Sequence, residues 1–161
     1  MKKIKLTRNK YALVDDNLFD YLNQWKWYAK SSKWGYYAVR EQHISGSGKK
    51  EIKERIRMHR LIMNPPKNKQ IDHINHNGLD NRKENLRIVT NSQNAMNCRN
   101  RSDNTSGYKG ITWDKSKNKW QAQIIVNQKN IHLGRYSNIQ GAWLARRWGE
   151  RLYHGEYANL S

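Results

Sequence analysis

The stretch from residue 71 to residue 97 carries an acid, an imidazole and several amide side chains. Asp72 supplies a hard carboxylate oxygen and Asn94 a neutral carbonyl oxygen, a pair of donors that suits Mg²⁺ rather than a thiolate-binding metal. An unperturbed imidazole has a pKa of about 6.5 and is largely neutral at physiological pH, so His73 can accept a proton from water. A metal, a neutral imidazole and a basic surface are the parts that hydrolyse a phosphodiester.

Short elements must position these side chains. The pattern predicts the end of a strand at residues 71–73 and a second short strand at residues 85–89, after a polar loop. Thr90 and Gln93 form a Thr-x-x-Gln capping pair, which predicts a helix from about Asn91. The expected order is strand, loop, strand, helix, with the chemical side chains converging.

Asp72-His73, Asn85-Leu86, Thr90 and Asn94 resemble the motif of the HNH endonucleases, whose active site is the ββα-metal unit. The spacing is similar to that of phage and intron-encoded homing endonucleases. The resemblance implies that His73 is the general base, that Asn85 holds its ring, and that Asp72 and Asn94 bind one divalent metal. The implied ion is Mg²⁺, with Mn²⁺ as an alternative.

Less specific interpretations exist for each residue. A single His in a polar loop is more often solvated than catalytic, and Asn-rich runs are often turns. A second functional class is a non-catalytic DNA-binding regulator that keeps a relic HNH fold. Four motif residues at the right intervals favour the nuclease. They are Asp72, His73, Asn85 and Asn94.

The composition indicates a polyanionic partner. Lys and Arg outnumber Asp and Glu by 31 to 13 in 161 residues, a formal charge of +18 that is spread along the chain. No apolar run approaches the roughly 20 residues of a membrane span. The first ten residues stay charged, so no signal peptide is expected. The single Cys98 excludes an internal disulfide and a Cys-based zinc site. We therefore expect a cytoplasmic protein (host cytoplasm, if phage-encoded).

The N-terminal third predicts a small sheet. Short strands are expected near residues 4–6, 11–14, 27–29, 36–39 and 53–58, with a helix from Asp15-Asp16 onward. A short helix should cover 58–62 and end before Pro65. Its Arg60 is a candidate phosphate clamp, with a solvated surface Arg as the equal alternative.

A change of pattern follows residues 99–107, a turn-rich stretch without apolar periodicity that we interpret as a linker. Strands are predicted at 108–113, 120–126 and 131–136, and a helix over 138–153. Ser137 and Gln140 form its capping pair, and Gly155 is placed to end it. A stripe of Ala142, Ala145, Gly149 and Leu152 should face the sheet.

This segment resembles the Apetala/ethylene-response-factor type of DNA-binding domain. The similar residues are Tyr108-Lys-Gly-Ile, Trp120-Gln-Ala-Gln-Ile, His132-Leu-Gly-Arg-Tyr and the Ala/Trp-rich helix. In that family the sheet face away from the helix enters the major groove. Gln and Asn suit adenine edges, and Lys or Arg suit guanine or phosphate. The expected DNA contacts are Lys109, Thr112, Gln121, Gln123, His132 and Arg135.

The sequence therefore predicts an α+β chain with three parts. Residues 1–98 form the N-terminal sheet and HNH nuclease domain, 99–107 the linker, and 108–161 a three-stranded antiparallel sheet packed on one helix. The expected function is that of a Mg²⁺-dependent DNA endonuclease of the phage homing type. Its central unit cuts duplex DNA and its C-terminal sheet selects the site. We expect a monomer, with no protein partner and no membrane.

Overall fold

The structure, a computed structural model, describes residues 1–46, 52–98, 100 and 103–159. Small antiparallel sheets alternate with helices, so the predicted α+β class is confirmed. Two compact units divide the chain, Met1–Thr90 and Asn91–Ser161. The domain bounds given above stay a prediction, and positions 99, 101 and 102 of the expected linker lie outside the described residues.

A hairpin and a helix open the first unit. Strands β1 (Lys2–Lys5) and β2 (Tyr11–Val14) pair antiparallel. Helix α1 (Asp16–Asn23) follows with Asp15 as its N-cap residue, because acidic residues are favourable at a helix N-terminus. Their apolar side chains form one buried core, which includes Ile4, Leu6, Ala12, Val14 and Leu22.

A three-stranded antiparallel sheet packs on that core. Its order is β3 (Tyr28–Ser32), β4 (Gly35–Ser45) and β5 (Ile52–Arg57). Ala29 and Ala38 face the core from neighbouring strands. β4 is longer than predicted. Its first half pairs with β3, and the strand continues beyond that point because its second half pairs with β5.

The motif segment of the first unit begins directly after β5. It comprises helix α2 (Met58–Met63) and the antiparallel strands β6 (Gln70–His73) and β7 (Leu86–Val89). The loop between β6 and β7 is tied to β2. Leu13 N–H donates to the Leu79 carbonyl and Leu13 C=O accepts from Asn81 N–H, both at 2.8 Å. The N-terminal hairpin therefore fixes the loop of the motif.

The second unit starts with helix α3 (Asn91–Met96), at the residue predicted from the capping pair. Strands β8 (Ile111–Asp114), β9 (Lys119–Val126) and β10 (Lys129–Tyr136) form a sheet with β9 in the centre. Helix α4 (Ile139–His154) covers one face of this sheet. The predicted sheet packed on one helix is confirmed.

Two details of α4 differ from prediction. The N-cap is Asn138 rather than Ser137, because the Asn138 Oδ1 accepts from Gly141 N–H at 2.8 Å. Leu152 is 74% exposed and leaves the predicted stripe. At 3.6 residues per turn it has rotated about 80° away from Ala142, which is fully buried. Gly155 ends the helix as expected, with φ of 52°. No helix within the described ranges is long and apolar enough to cross a membrane.

Candidate active site and nucleic-acid interface

The pairing of β6 with β7 places two of the predicted site residues, Asp72 and His73, at one end of a hairpin. Asp72 lies opposite Arg87, and His73, the last residue of β6, lies opposite Leu86. Asp72 and His73 are both less than a tenth exposed. Because successive side chains on a strand project to opposite faces, these two neighbours have different surroundings.

The imidazole of His73 is enclosed by rings and one amide. The His59 ring meets it edge-on with 5.1 Å between ring centroids, and the Tyr37 ring lies at 5.8 Å. Asn81, which is fully buried, places Oδ1 3.4 Å from His73 Nε2. Burial lowers the pKa of His73 below its ordinary value, against the smaller opposing effect of Asn81. The ring is therefore neutral at physiological pH and held on several sides.

His59 is a second buried imidazole, carried by α2. Burial, followed by the influence of His73 and nearby Arg side chains, lowers the pKa of His59 to about 3. Its Nδ1 is buried and has no hydrogen-bond partner among the described residues. Two neutral rings pack edge to face without repulsion, so α2 supports one side of the His73 ring.

Asn85 holds the loop that follows His73. Its Oδ1 accepts from Asn75 N–H at 3.0 Å and its Nδ2 donates to the Asp80 carbonyl at 2.8 Å. Both polar ends of this buried side chain therefore bond the loop backbone. The resemblance implied that Asn85 holds the ring of His73. In the structure the amide that faces the ring is that of Asn81. Asn85 instead hydrogen-bonds the backbone of the loop that carries Asn81.

A buried carboxylate reinforces the same loop. Asp80 is 2% exposed and accepts from Arg82 Nε at 2.8 Å and Nη2 at 2.7 Å. It also accepts from Asn75 Nδ2 at 2.9 Å. The bond from Arg82 lowers the pKa of Asp80, with Asn75 contributing less. This pair keeps Asp80 ionised and satisfied beneath the loop.

The turn at Gly78 brings the loop against β4. A Cβ at this position would lie 2.5 Å from the Tyr36 carbonyl oxygen and 2.7 Å from the ring of Tyr37. Only glycine fits such a close approach. The loop and Tyr37 are therefore packed together on the His73 side of the sheet.

Asp72 is held by its cross-strand neighbour. Arg87 donates to Asp72 Oδ2 from Nε at 2.9 Å and from Nη2 at 2.7 Å. No group of three or more His, Cys, Asp or Glu with metal-site geometry occurs among the described residues. The predicted ligand set has only one carboxylate and one amide, which is compatible with Mg²⁺ because that ion keeps several waters. Asn94 lies on α3 in the second unit and is partly buried.

Arg60 lies on α2 and is partly buried. Its Nη1 donates to the Lys69 carbonyl at 3.3 Å, just before β6. This bond engages one of the five N–H groups of a guanidinium. Arg60 therefore braces α2 against the start of the motif hairpin, and its role as a phosphate clamp stays a prediction.

In the second unit, one face of the β8–β9–β10 sheet is turned away from α4, and we call it the outer face. Strand register places five of the predicted DNA-contacting residues on it: Thr112, Gln121, Gln123, His132 and Arg135. Asn130 Nδ2 donates to Gln123 Oε1 at 3.1 Å, and Arg135 Nε donates to Asp114 Oδ2 at 2.9 Å. The face is thus polar, half-exposed and partly pre-ordered.

A β-bulge decides the direction of Arg135. The register shifts between His132 and Gly134, so that Gly134 pairs with Ala122 and Arg135 with Gln121. Strict alternation from His132 would have turned Arg135 toward α4. Gly134 has φ of 126°, and a Cβ there would lie 2.7 Å from the Tyr136 hydroxyl. Glycine at 134 therefore permits the bulge that exposes Arg135.

Lys109 is not part of the outer face. Its Nζ donates to the carbonyls of Ala95, Met96 and Cys98 at 2.9, 3.1 and 3.1 Å, at the end of α3. Burial lowers the pKa of Lys109. With all three ammonium hydrogens bonded, the side chain anchors α3 inside the second unit.

Comparison with known proteins identifies similar sequences. The family described as HNH endonuclease matches residues 58–96. The chain is 32% identical over 96 residues to Protein 3.8 of Escherichia phage T7, covering 59% of this chain and 78% of that protein. It is 29% identical over 153 residues to Uncharacterized HNH endonuclease L560 of Acanthamoeba polyphaga mimivirus, covering 92% of this chain and 73% of that protein. Residues 58–96 therefore form an HNH region. No solved structure matches it significantly.

The HNH match begins with α2, before the residues that carry the recognised motif. It therefore includes His59, whose ring supports His73. Sequence reasoning also missed Asn81 and Arg87. The position of Arg87 could have been predicted, because pairing the two motif strands from their ends places it opposite Asp72. Asn81 gave no signal, since a loop Asn is usually only a turn former.

Proposed function

We propose that this HNH chain is a metal-dependent DNA endonuclease in which His73 is the general base. The proposal rests on one observation, the buried, neutral imidazole of His73 beside Asn81. Asn81 lies in a loop whose backbone is hydrogen-bonded at two points by the Asn85 side chain. A general base works best when its lone pair is available near neutral pH and its ring is fixed. The ring of a solvated loop histidine would not be fixed.

The Asn81 contact selects a tautomer of the base. If Asn81 Oδ1 accepts from Nε2–H of His73, the lone pair lies on Nδ1. Nδ1 then takes the proton as a water oxygen attacks phosphorus. The bond from phosphorus to the leaving sugar oxygen breaks, and that oxygen leaves as an alkoxide, which takes a proton from solvent to become the new hydroxyl terminus. Asn81 thereby positions the base without touching the substrate.

Asp72 and Asn94 are the proposed ligands of one divalent metal, Mg²⁺ or Mn²⁺. When bound, such an ion stabilises the negative charge that develops on the phosphate and the leaving oxygen. Arg87 orients the Asp72 carboxylate from the neighbouring strand. The ligand set predicts that Asp72→Ala and Asn94→Ala both raise the metal concentration needed for half-maximal rate.

Site selection is assigned to the outer face of the second unit. Hydrolysis needs only a phosphate and a metal, so specificity must come from base-reading side chains elsewhere. The outer face offers Gln, Thr, His and Arg on one exposed surface, consistent with the Apetala/ethylene-response-factor resemblance. The proposed contacts are Thr112, Gln121, Gln123, His132 and Arg135, and the proposed substrate is double-stranded DNA.

The deciding experiment compares plasmid nicking by wild type and His73→Ala in Mg²⁺ and in EDTA. We expect the variant to lose about 10²- to 10⁴-fold in rate while its affinity for duplex DNA is unchanged. His76→Asn is the matched control, because it removes a histidine from the same loop and Asn tolerates the positive φ of that position. It should cut like the wild type.

A non-catalytic regulator is the alternative. It predicts that wild type binds duplex DNA but nicks no faster with Mg²⁺ than with EDTA. A His73→Ala protein that nicks at the wild-type rate would end the assignment of the base, whatever the binding result.

A further inference from the structure

The three-stranded sheet of the first unit extends beyond what its core requires. β3 pairs with β4 only as far as Val39, whereas β5 follows β4 out to Ser45. Residues 41–45 and 52–55 therefore form a two-stranded ribbon, and all of them are exposed. A ribbon that buries no apolar surface contributes little to the core, but its dimensions fit a DNA groove.

The two faces of this ribbon carry different residues. Arg40 and Ile56 are paired on the face that packs on the core, where the Arg40 guanidinium lies 4.5 Å from the Trp25 ring centroid. The opposite face is the one from which Tyr37 reaches the His73 ring. Alternation along β5 puts three cations on that same face: Lys53, Arg55 and Arg57.

These cations form a row that starts beside the catalytic cluster. Arg57 pairs with Val39, two residues from Tyr37, and Arg55 and Lys53 follow opposite Glu41 and His43. Each step of two residues advances about 7 Å along a strand. Among the described residues of the ribbon, one acid shares the face: Glu41 accepts from the Tyr28 hydroxyl at 3.0 Å and lies 3.6 Å from Arg55 Nη2. The row keeps a net positive charge.

We propose that Lys53, Arg55 and Arg57, which we call the basic row, bind the phosphate backbone of duplex DNA beside the scissile phosphate. The inference rests on the proposed nuclease function and adds a second binding surface, separate from the outer face of the second unit. The row holds the substrate against the side of the sheet where His73 lies. Its contacts are with phosphates and carry no base preference.

The test removes the row in the full-length chain by Lys53→Gln, Arg55→Gln and Arg57→Gln together. Removing one cation from a phosphate lowers the slope of log affinity against log salt by about 0.9, so the slope should fall by about 2–3. The matched control is Lys3→Gln, Lys5→Gln and Lys26→Gln, which removes the same charge from exposed positions off the ribbon. The control should keep the wild-type slope. Thermal unfolding of both variants confirms that each is folded.

A single substitution tests the row in the opposite direction. Glu41→Gln removes its acid and should strengthen duplex binding several-fold at low salt. Equal slopes for the row and control variants, or a Glu41→Gln protein that binds no better than wild type, would overturn the basic row. These readouts are independent of nicking, so they distinguish a failed row from a failed catalytic assignment. A wild-type chain without salt-dependent duplex binding would overturn the row and the proposed DNA function together.

Discussion

The residues around His73 and the outer face of the C-terminal sheet are both built from polar side chains on or beside short strands. The two sets of side chains differ in how deeply they are buried. In the first unit, His73, Asn81 and Asn85 are nearly or fully buried. In the second unit, Thr112, His132 and Arg135 are exposed on a sheet surface. The proposed catalytic residues and the proposed DNA contacts thus occupy different environments within one chain.

The difference follows from what each task demands. A general base must be neutral and fixed, which burial and hydrogen bonding achieve together. A base-reading residue must reach the floor of a groove, so it stays accessible and is only partly ordered by its neighbours. The comparison therefore predicts that substitutions in the first region act on fold and rate, and substitutions in the second on affinity and specificity.

Removing the loop clamp should have the largest effect. Asn85→Ala leaves the buried Asp80 C=O without its partner, at about 1–3 kcal/mol for an unsatisfied buried group, and also removes the bond to the N–H of the exposed Asn75. We expect the first unit to lose about 1–3 kcal/mol of stability and nicking to fall to background. Denaturant unfolding measures the loss. Asn17→Ala, at an exposed position of α1, is the control and should be neutral.

Acid should destabilise the first unit through His59. Its pKa is about 3 in the fold against about 6.5 when unfolded, so the unfolded chain binds more protons between these values. The stability is fully present above pH 6.5 and declines as the pH falls toward 3, reaching about 2 kcal/mol lost by pH 5. His59→Phe should flatten this dependence and the exposed His43→Asn should not. Identical pH profiles for all three proteins would contradict the buried neutral ring.

A substitution at the bulge should affect recognition without touching chemistry. Gly134→Ala forces a side chain onto a backbone with φ of 126°, a strain of about 1–3 kcal/mol. Either the second unit loses that stability or the register shifts and Arg135 leaves the outer face. Duplex affinity should drop if the register shifts, whereas strain alone should appear as a lower melting temperature. A variant that melts and binds like the wild type would show that the bulge is not needed.

The smallest effect is expected from one base-reading side chain. Gln123→Ala should relax the preference at a single base position by about 1 kcal/mol, the lower end for a direct contact. Selection from randomised duplexes by both proteins measures it, and the nicking rate on saturating DNA should stay unchanged. Loss of preference at every position would instead place Gln123 in the fold of the sheet.

Local sequence rules were sufficient to predict most helices and strands and to find the motif. The Asp-His pair and the capping signal before Asn91 follow from residue types at fixed intervals. Alternation sorted Gln121 and Gln123 onto the outer face, because a period of two is a property of any strand. Each of these depends on neighbours close in the chain.

Tertiary structure decided what depends on distant neighbours. Asn81 faces His73 only because β2 fixes the loop, and His59 supports the ring only because α2 folds back on β6. Lys109 was expected to contact DNA, but in the structure its Nζ donates to three carbonyls at the end of α3. Arg135 lies on the outer face because of a bulge, which strict alternation along the strand does not predict. The sequence by itself determined which chemical groups are present; packing between distant segments determined which of them are buried, paired or exposed.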